Sequence, residues 1–200
     1  MLPHSSNSPD PMKRPVYSFT NKAKRLVWYC VQATLFRFSP ILFHGFRSAL
    51  LRMFGAKIGK SNFIYPTAKI WAPWMLETED VVTLGSGVEV YNPGGVYLGH
   101  HTVVSQNAYL CCATHDYNTF TFDTVIKPIK TGPYTWICSR AIVLPGVEFG
   151  TGSVLGAGGV ASRSLDDWSV HAGNPAKHVT NRKPFDVNAS PEELERKQSE

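Results

Sequence analysis

Between residues 131 and 161 the sequence repeats every six residues: TGPYTW, ICSRAI, VLPGVE, FGTGSV, LGAGGV, then Ala161. The blocks open on Thr131, Ile137, Val143, Phe149, Leu155 and Ala161, and the fifth position of each is small or β-branched. Gly, Pro, Ser and Thr fill the intervals, as suits tight turns. An amphipathic helix needs apolar residues three and four apart, and a half-buried strand needs strict alternation. A spacing of four and then two satisfies neither. It fits a short strand followed by a sharp corner, with the first side chain inside and the fifth packed near the next corner. That is the period of a hexapeptide β-helix, in which three blocks close one triangular turn.

Upstream the same register recurs with interruptions. Ile58, Ile64, Ile70 and Leu84 open blocks, Val90 opens a longer one (VYNPGGVY), and Leu98, Val104 and Leu110 open the next three. Residues 58–161 are therefore expected to stack as coils that bury their interior only against one another. An antiparallel sandwich would instead show period two and hairpin turns. The register blurs over residues 71–83, which predicts a strained or bulged coil. It breaks at residues 115–130, read as a loop thrown outward directly after an interior Thr114. Long loops on rigid scaffolds commonly carry function. His115, sixth in its block, is expected to point outward where that loop departs, with Asn92 about one coil before it and Glu148 about one coil after.

Charge divides the chain. Residues 1–60 hold ten Lys/Arg against Asp10 alone, or +9, which leaves −4 for the remainder of the total of +5. Residues 1–20 read as a disordered polar lead without the apolar run of a signal peptide. Residues 21–55 read as a basic amphipathic helical arm, N-capped by Asn21, broken at Ser39-Pro40 and ending near Gly55. Residues 56–163 form the β-helix with its external loop, and residues 164–200 a C-terminal segment with a polar tail, in which PEELERKQ suits a short helix. The apolar stretch 26–46 is interrupted by Arg37, Pro40, His44 and Gly45, so it is expected to pack on the first coil or to lie on an anionic bilayer, not to span one. Cys30, Cys111, Cys112 and Cys138 have neither metal-site spacing nor disulfide density, which points to a reduced, cytoplasmic setting. The last three sit near the presumed site, where small buried hydrophobe is the ordinary role of a free thiol. His100 and His101 are adjacent, with rings expected to diverge, and offer no metal site.

The repeat, the loop beginning at His115, and the segments LLRMFGAKIG, YNPGG, SQNAYLCCATHDY and SVHAGNPAK together resemble the hexapeptide-repeat O-acetyltransferases. Within them, residues 21–183 are most similar to the colanic-acid-type exopolysaccharide acetyltransferases and their galactoside, maltose and Nod-factor relatives. The resemblance implies a left-handed parallel β-helix assembled as a homotrimer, with acetyl-CoA as co-substrate in a groove between subunits. It implies neither a metal nor a nucleic-acid partner. It makes His115 the general base on a sugar or exopolysaccharide-precursor hydroxyl and gives Asn92 and Asp116 to the acceptor. Trp136 and Ser139 fall near the thioester, Ala157 and Ser162 along the pantetheine, and Arg163 and Lys177 near the phosphates, with Arg182 a further phosphate candidate. A neutral imidazole suits activation of so weak a nucleophile as an alcohol, and Gly156, Gly158 and Gly159 would let backbone approach a thin ligand. Thr131 stands where an aliphatic is typical and Cys138 where glycine is usual, so the rungs beside the site are expected to pack differently. The alternatives are a non-catalytic β-helix scaffold and an acetyltransferase acting on a small molecule other than a sugar.

Overall fold

The computed structural model describes residues 17–186 and Ala189. From Lys57 onward the chain winds as a left-handed β-helix with three parallel faces. The first face is built from Lys57–Ile58, Leu76–Thr78, Val96–Leu98, Ile129–Thr131 and Glu148–Phe149. The second takes Phe63–Ile64, Thr83–Leu84, Val103–Val104, Trp136–Ile137, Val154–Leu155 and Ser169–Ala172, onto which Lys177–Asn181 folds back antiparallel. The third takes Lys69–Ile70, Glu89–Tyr91, Tyr109–Cys111, Ile142–Val143 and Val160–Ala161. The block-opening side chains fill the prism: Ile70, Leu84, Leu98, Leu110, Ile137 and Leu155 are fully buried, and each contributes on the order of 2 kcal/mol of apolar transfer.

Strand pairing explains the upstream interruptions. Lys57 pairs with Glu77 and Glu77 with Tyr97, Phe63 with Thr83 and Thr83 with Val103, always twenty residues on. Just above the loop the step is eighteen, Lys130 to Glu148, Trp136 to Val154 and Ile142 to Val160, and in the last coil it is sixteen, Val154 to Val170. The two added residues of the lower coils always fall in the corner that leads from the third face to the first. The blur over residues 71–83 is one such corner, made by a 3₁₀ turn at Pro73–Met75 and followed by Leu76–Thr78 in register. The corner is regular and wide, the strain is confined to Val81 at a left-handed φ of 61°, and the long block at Val90 is the next corner of the same kind.

At the following coil that corner opens into a hairpin, Ala113–His115 against Thr124–Ile126. The chain leaves the solenoid after Cys112 and not after Thr114. Cys112 is fully buried, its N–H donates to the Tyr91 carbonyl and its Sγ to the Gly95 carbonyl (3.3 Å), whereas Thr114 is exposed. Thr131, the polar opener, is buried because its Oγ1 meets Thr102 Oγ1 at 3.0 Å and accepts from the Gly99 N–H at 3.1 Å.

The arm closes the underside. Helix α1 (Phe19–Val31) runs into a π turn at Gln32–Phe36, and α2 covers His44–Met53. Ser18, not Asn21, is the N-cap of α1: Ser18 Oγ accepts from the Asn21 N–H. The lowest strand of each face has no coil beneath it, and unpaired edge groups are costly to bury and prone to wrong pairing. Side chains of the arm take the missing coil's place. Trp28 Nε1 donates to the Ile70 carbonyl (2.6 Å) while Gln32 Oε1 accepts from the Ile70 N–H (2.7 Å). Arg47 Nε donates to the Ile64 carbonyl (2.5 Å), and Arg52 to the carbonyls of Ile58 (3.0 Å) and Gly59 (2.7 Å). Arg47 is fully buried and uses its remaining N–H groups on Ser39 Oγ and the carbonyls of Pro40 and Ile41. Arg47 and Arg52, basic residues of an arm that could face lipid, are therefore turned to the solenoid. Trp28, Phe36, Leu50 and Leu51 plug the mouth of the prism. Among the described residues no helix is long and apolar enough to cross a membrane.

Candidate active site

His115 ends the outgoing strand of the hairpin and is exposed. Its ring stacks on Phe122 at 4.4 Å with planes 6° apart, and Nδ1 lies 2.9 Å from the Phe122 carbonyl. A carbonyl oxygen only accepts, so Nδ1 carries the hydrogen. The neutral imidazole is thereby held as the tautomer whose lone pair is on Nε2, facing solvent. Phe122 takes a left-handed φ of 47° to aim that carbonyl, a conformation that costs an L-residue on the order of 1–2 kcal/mol. Asp116 opens the loop at the far end of the hairpin, just beyond the His115–Thr124 pair. Its Oδ1 accepts from the Asn118 N–H (2.9 Å) and its own N–H donates to the Asp123 carbonyl, so it shapes the loop that carries His115.

Asn92 is not at a surface. It is fully buried, with Oδ1 accepting from the Ala72 N–H (3.0 Å) and Nδ2 donating to the Ala72 carbonyl (2.9 Å). It ties two successive wide corners together from inside, which takes it out of reach of an acceptor. Glu148 pairs with Lys130 on the first face (3.1 Å) and does not orient the imidazole.

The coenzyme candidates lie elsewhere on the prism. Trp136 is on the second face, 47% exposed, with Nε1 donating to Ser105 Oγ (2.9 Å). Ser139 and Ala157 occupy the second-to-third corner of successive coils, joined where the Gly158 N–H donates to the Ser139 carbonyl (3.0 Å). The turn after Ala172 lies over the same corner, since Val160 donates to the Gly173 carbonyl and Ala176 to the Val160 carbonyl. Lys177 follows it, exposed. Ser162 and Arg163 are exposed at the third-to-first corner above the hairpin. Neither Arg163 nor Lys177 forms an ion pair with a described residue.

Of the three glycines only Gly158 opens onto free space: its φ is +66°, and a Cβ there would meet nothing within 4 Å. A Cβ on Gly156 would meet that of Ala172 at 3.1 Å, and one on Gly159 the Gly156 carbonyl at 2.9 Å. Gly156 is small because the next coil stacks closely on it, and Gly159 because its own turn folds back against Gly156 and Leu155. Arg182 also leaves the phosphate set. It donates to the carbonyls of Tyr134 (3.0 Å) and Gly152 (3.4 Å) at a different corner and lies over the Phe185 ring at 5.1 Å.

Burial pushes the Cys112 thiol up to about 12 and raises Cys138 as well, so both are protonated near neutrality. The rings of His100 and His101 do not diverge; their Nδ1 atoms meet at 3.0 Å. Among the described residues no group of three His, Cys, Asp or Glu could hold a metal ion. The role of Phe122 has no signal in the sequence, because a left-handed phenylalanine is read only from the folded turn.

Three parallel faces with a hairpin thrown out at one corner make a hexapeptide β-helix, and relatives give its class. No family model matches the chain. WcaF of Escherichia coli (strain K12), named as a colanic acid biosynthesis acetyltransferase, is 40% identical over 162 residues, covering 81% of this chain and 89% of that one. On that relationship the chain belongs to the hexapeptide-repeat acetyltransferases, in the branch of the colanic-acid enzyme. The fold agrees with solved structures. A hexapeptide-repeat acetyltransferase of Vibrio cholerae complexed with acetyl coenzyme A superposes with a TM-score of 0.75 at 20% identity, covering 84% of this chain and 91% of that one. A galactoside acetyltransferase in complex with coenzyme A gives 0.73 at 19%, covering 88% and 92%.

Proposed function

We propose that the chain transfers the acetyl group of acetyl-CoA to a hydroxyl of a sugar or exopolysaccharide precursor, with His115 as general base. The observation that carries this reading is the Nδ1–H to Phe122 carbonyl hydrogen bond, which leaves Nε2 as the free base. The hydroxyl oxygen attacks the thioester carbonyl as its proton passes to Nε2. The tetrahedral oxyanion is met by Ser139 or corner amides, the carbon–sulfur bond breaks, and the imidazolium returns the proton to the departing thiolate.

Coenzyme binding along Trp136, Ser139, Ala157, Ser162, Arg163 and Lys177 is supported by the open corner at Gly158, by Lys177 after the turn over that corner, and by Arg163 at the third-to-first corner, both cations without an ion-pair partner among the described residues. His115 leaves at the third-to-first corner, while Trp136 and Ser139 lie on the second face and the second-to-third corner. Bringing them together takes a second subunit, which supports a homotrimer with its sites shared between neighbours. The first face is laced with exposed ion pairs, Lys57–Glu77 and Lys130–Glu148, whereas the second presents Phe63, Val103 and Trp136 to the outside. The second face is the better surface for assembly. Away from α1 the arm exposes Leu35, Phe38 and Leu42, 57–82%, beside Arg37. That surface suits peripheral contact with an anionic bilayer on its cytoplasmic side.

The test is His115→Ala. Turnover should fall by ~10²–10⁴, the worth of positioned acid–base help, with acetyl-CoA affinity by calorimetry unchanged. Wild-type turnover in the variant would refute the general-base role.

A further inference from the structure

Between α1 and the third face lies a groove of about 530 Å³ that the acetyl-transfer reading does not use. Its wall is aromatic. Trp71 and Tyr91 stand at the same outward position of successive coils, ring centroids 5.3 Å apart and planes at 84°, and Tyr17 packs on Trp71 at 5.1 Å. Arg25 of α1 lies over both, its guanidinium 4.5 Å from the Trp71 ring and 5.1 Å from that of Tyr17. Arg25 Nε is buried and has no hydrogen-bond partner among the described residues. Every other arginine that the arm turns to the solenoid is bonded to carbonyls. An unsatisfied buried donor costs about 1–3 kcal/mol, more when charged, and the aromatic faces under the guanidinium offset only part of that cost. Lys22, Arg25 and Lys69 line the groove against Glu89 alone, and Lys69 is already paired with Glu89 at 2.6 Å. The unpaired charge is positive.

The groove also has a direction. Tyr91 pairs with Cys111 on the next coil of the same face, and from Cys111 the chain climbs into the hairpin that carries His115. Successive coils are about 4.8 Å apart, close to the length of one sugar ring, so a chain of sugars could follow the aromatic rungs toward the imidazole.

We propose that this groove binds an anionic saccharide: sugar faces stack on Trp71 and Tyr91, and the anionic group, a uronate within the chain or a phosphate at its end, is held by Arg25 with Lys22. This names the acceptor class and rests on the proposed reaction. A neutral sugar would use the aromatic rungs alone, whereas an anion would also meet the excess positive charge of Lys22 and Arg25 through charge-assisted bonds.

The test reads binding alone, on the full chain without acetyl-CoA, by calorimetry. The probes are a hyaluronan-derived tetrasaccharide carrying uronates, maltotriose 1-phosphate, and neutral maltotetraose. One of the two anionic probes should bind about tenfold or more tighter than the neutral one, and which of them does so identifies the source of the anion. Arg25→Gln should abolish that preference, Arg25→Lys should keep part of it because charge survives without the planar fork, and Trp71→Ala should weaken all three. Circular dichroism on each variant separates lost binding from lost fold. Equal affinity of the wild type for all three probes, or a preference that survives Arg25→Gln, overturns the proposal. A protein that prefers the anionic probe yet acetylates no sugar would sink the reaction and leave the groove standing.

Discussion

The arm beneath the solenoid and the hairpin on its side both carry a cationic or titratable side chain bonded to main-chain carbonyls, and they differ in what is left over. Arg47 is sealed from solvent and its N–H groups are distributed over the Ile64, Pro40 and Ile41 carbonyls and Ser39 Oγ. His115 is exposed and bonds through one nitrogen only. A saturated, buried group stabilises; a half-saturated, exposed one keeps an atom for chemistry. The same contrast separates Asn92, whose amide is closed on Ala72, from Arg25, whose Nε is unmatched.

The largest effect expected from this contrast is on stability. Arg47→Ala removes the plug of the second face and leaves several buried carbonyls unpaired, so the urea unfolding free energy should drop by about 3 kcal/mol or more. Arg47→Lys should recover little, because one ammonium cannot reach the same set of acceptors. A loss below about 1 kcal/mol would break the contrast from the structural side. Lys177→Ala should weaken acetyl-CoA binding by about tenfold, the scale of one charge-assisted contact, with turnover at saturating coenzyme preserved. Unchanged affinity would remove Lys177 from the phosphate site.

A smaller effect is expected with pH. Cys112 is raised from 9.0 to about 12 by burial. The folded state therefore holds this proton more tightly than the unfolded one, and the contribution is fully present below pH 9 and lost as pH rises toward 12. Unfolding free energy should decline across that window, less steeply in Cys112→Ala. The same slope in both would mean that the decline comes from other groups. Smallest of all, His115→Ala should move the unfolding free energy by no more than about 0.5 kcal/mol, as is usual for surface changes. A large loss there would make the histidine a structural residue.

The prism was legible because its rule is local. A six-residue period with apolar openers can be read without knowing what it packs against, and Ile137, Val143 and Leu155 are inside as that period requires. The wide corners were legible only as noise, since two extra residues shift the register and a 3₁₀ turn at Pro73–Met75 hides where it resumes. The block position of His115 makes it outward, as it is, but the chain leaves the solenoid two residues earlier than the period implies, because Cys112, and not Thr114, is the last side chain inside. Asn92 was misplaced for a related reason: a turn asparagine in sequence gives no sign of which way its amide faces, and here it faces Ala72. Arg47, Arg52 and Arg25 read alike in the sequence. Only the positions of strand-edge carbonyls tell the first two from the third.

The central claim is that His115 is held as the neutral tautomer with its lone pair on Nε2. Nitrogen-15 NMR of the histidine-labelled protein, with His115→Ala used to assign the signal, reads that state directly above the imidazole pKa. The expected spectrum has a protonated Nδ1 and a bare, pyridine-like Nε2, and Phe122→Gly, which frees the turn that aims the carbonyl, should shift it toward a tautomer mixture. A protonated Nε2 with a bare Nδ1 in the wild-type protein would contradict the claim.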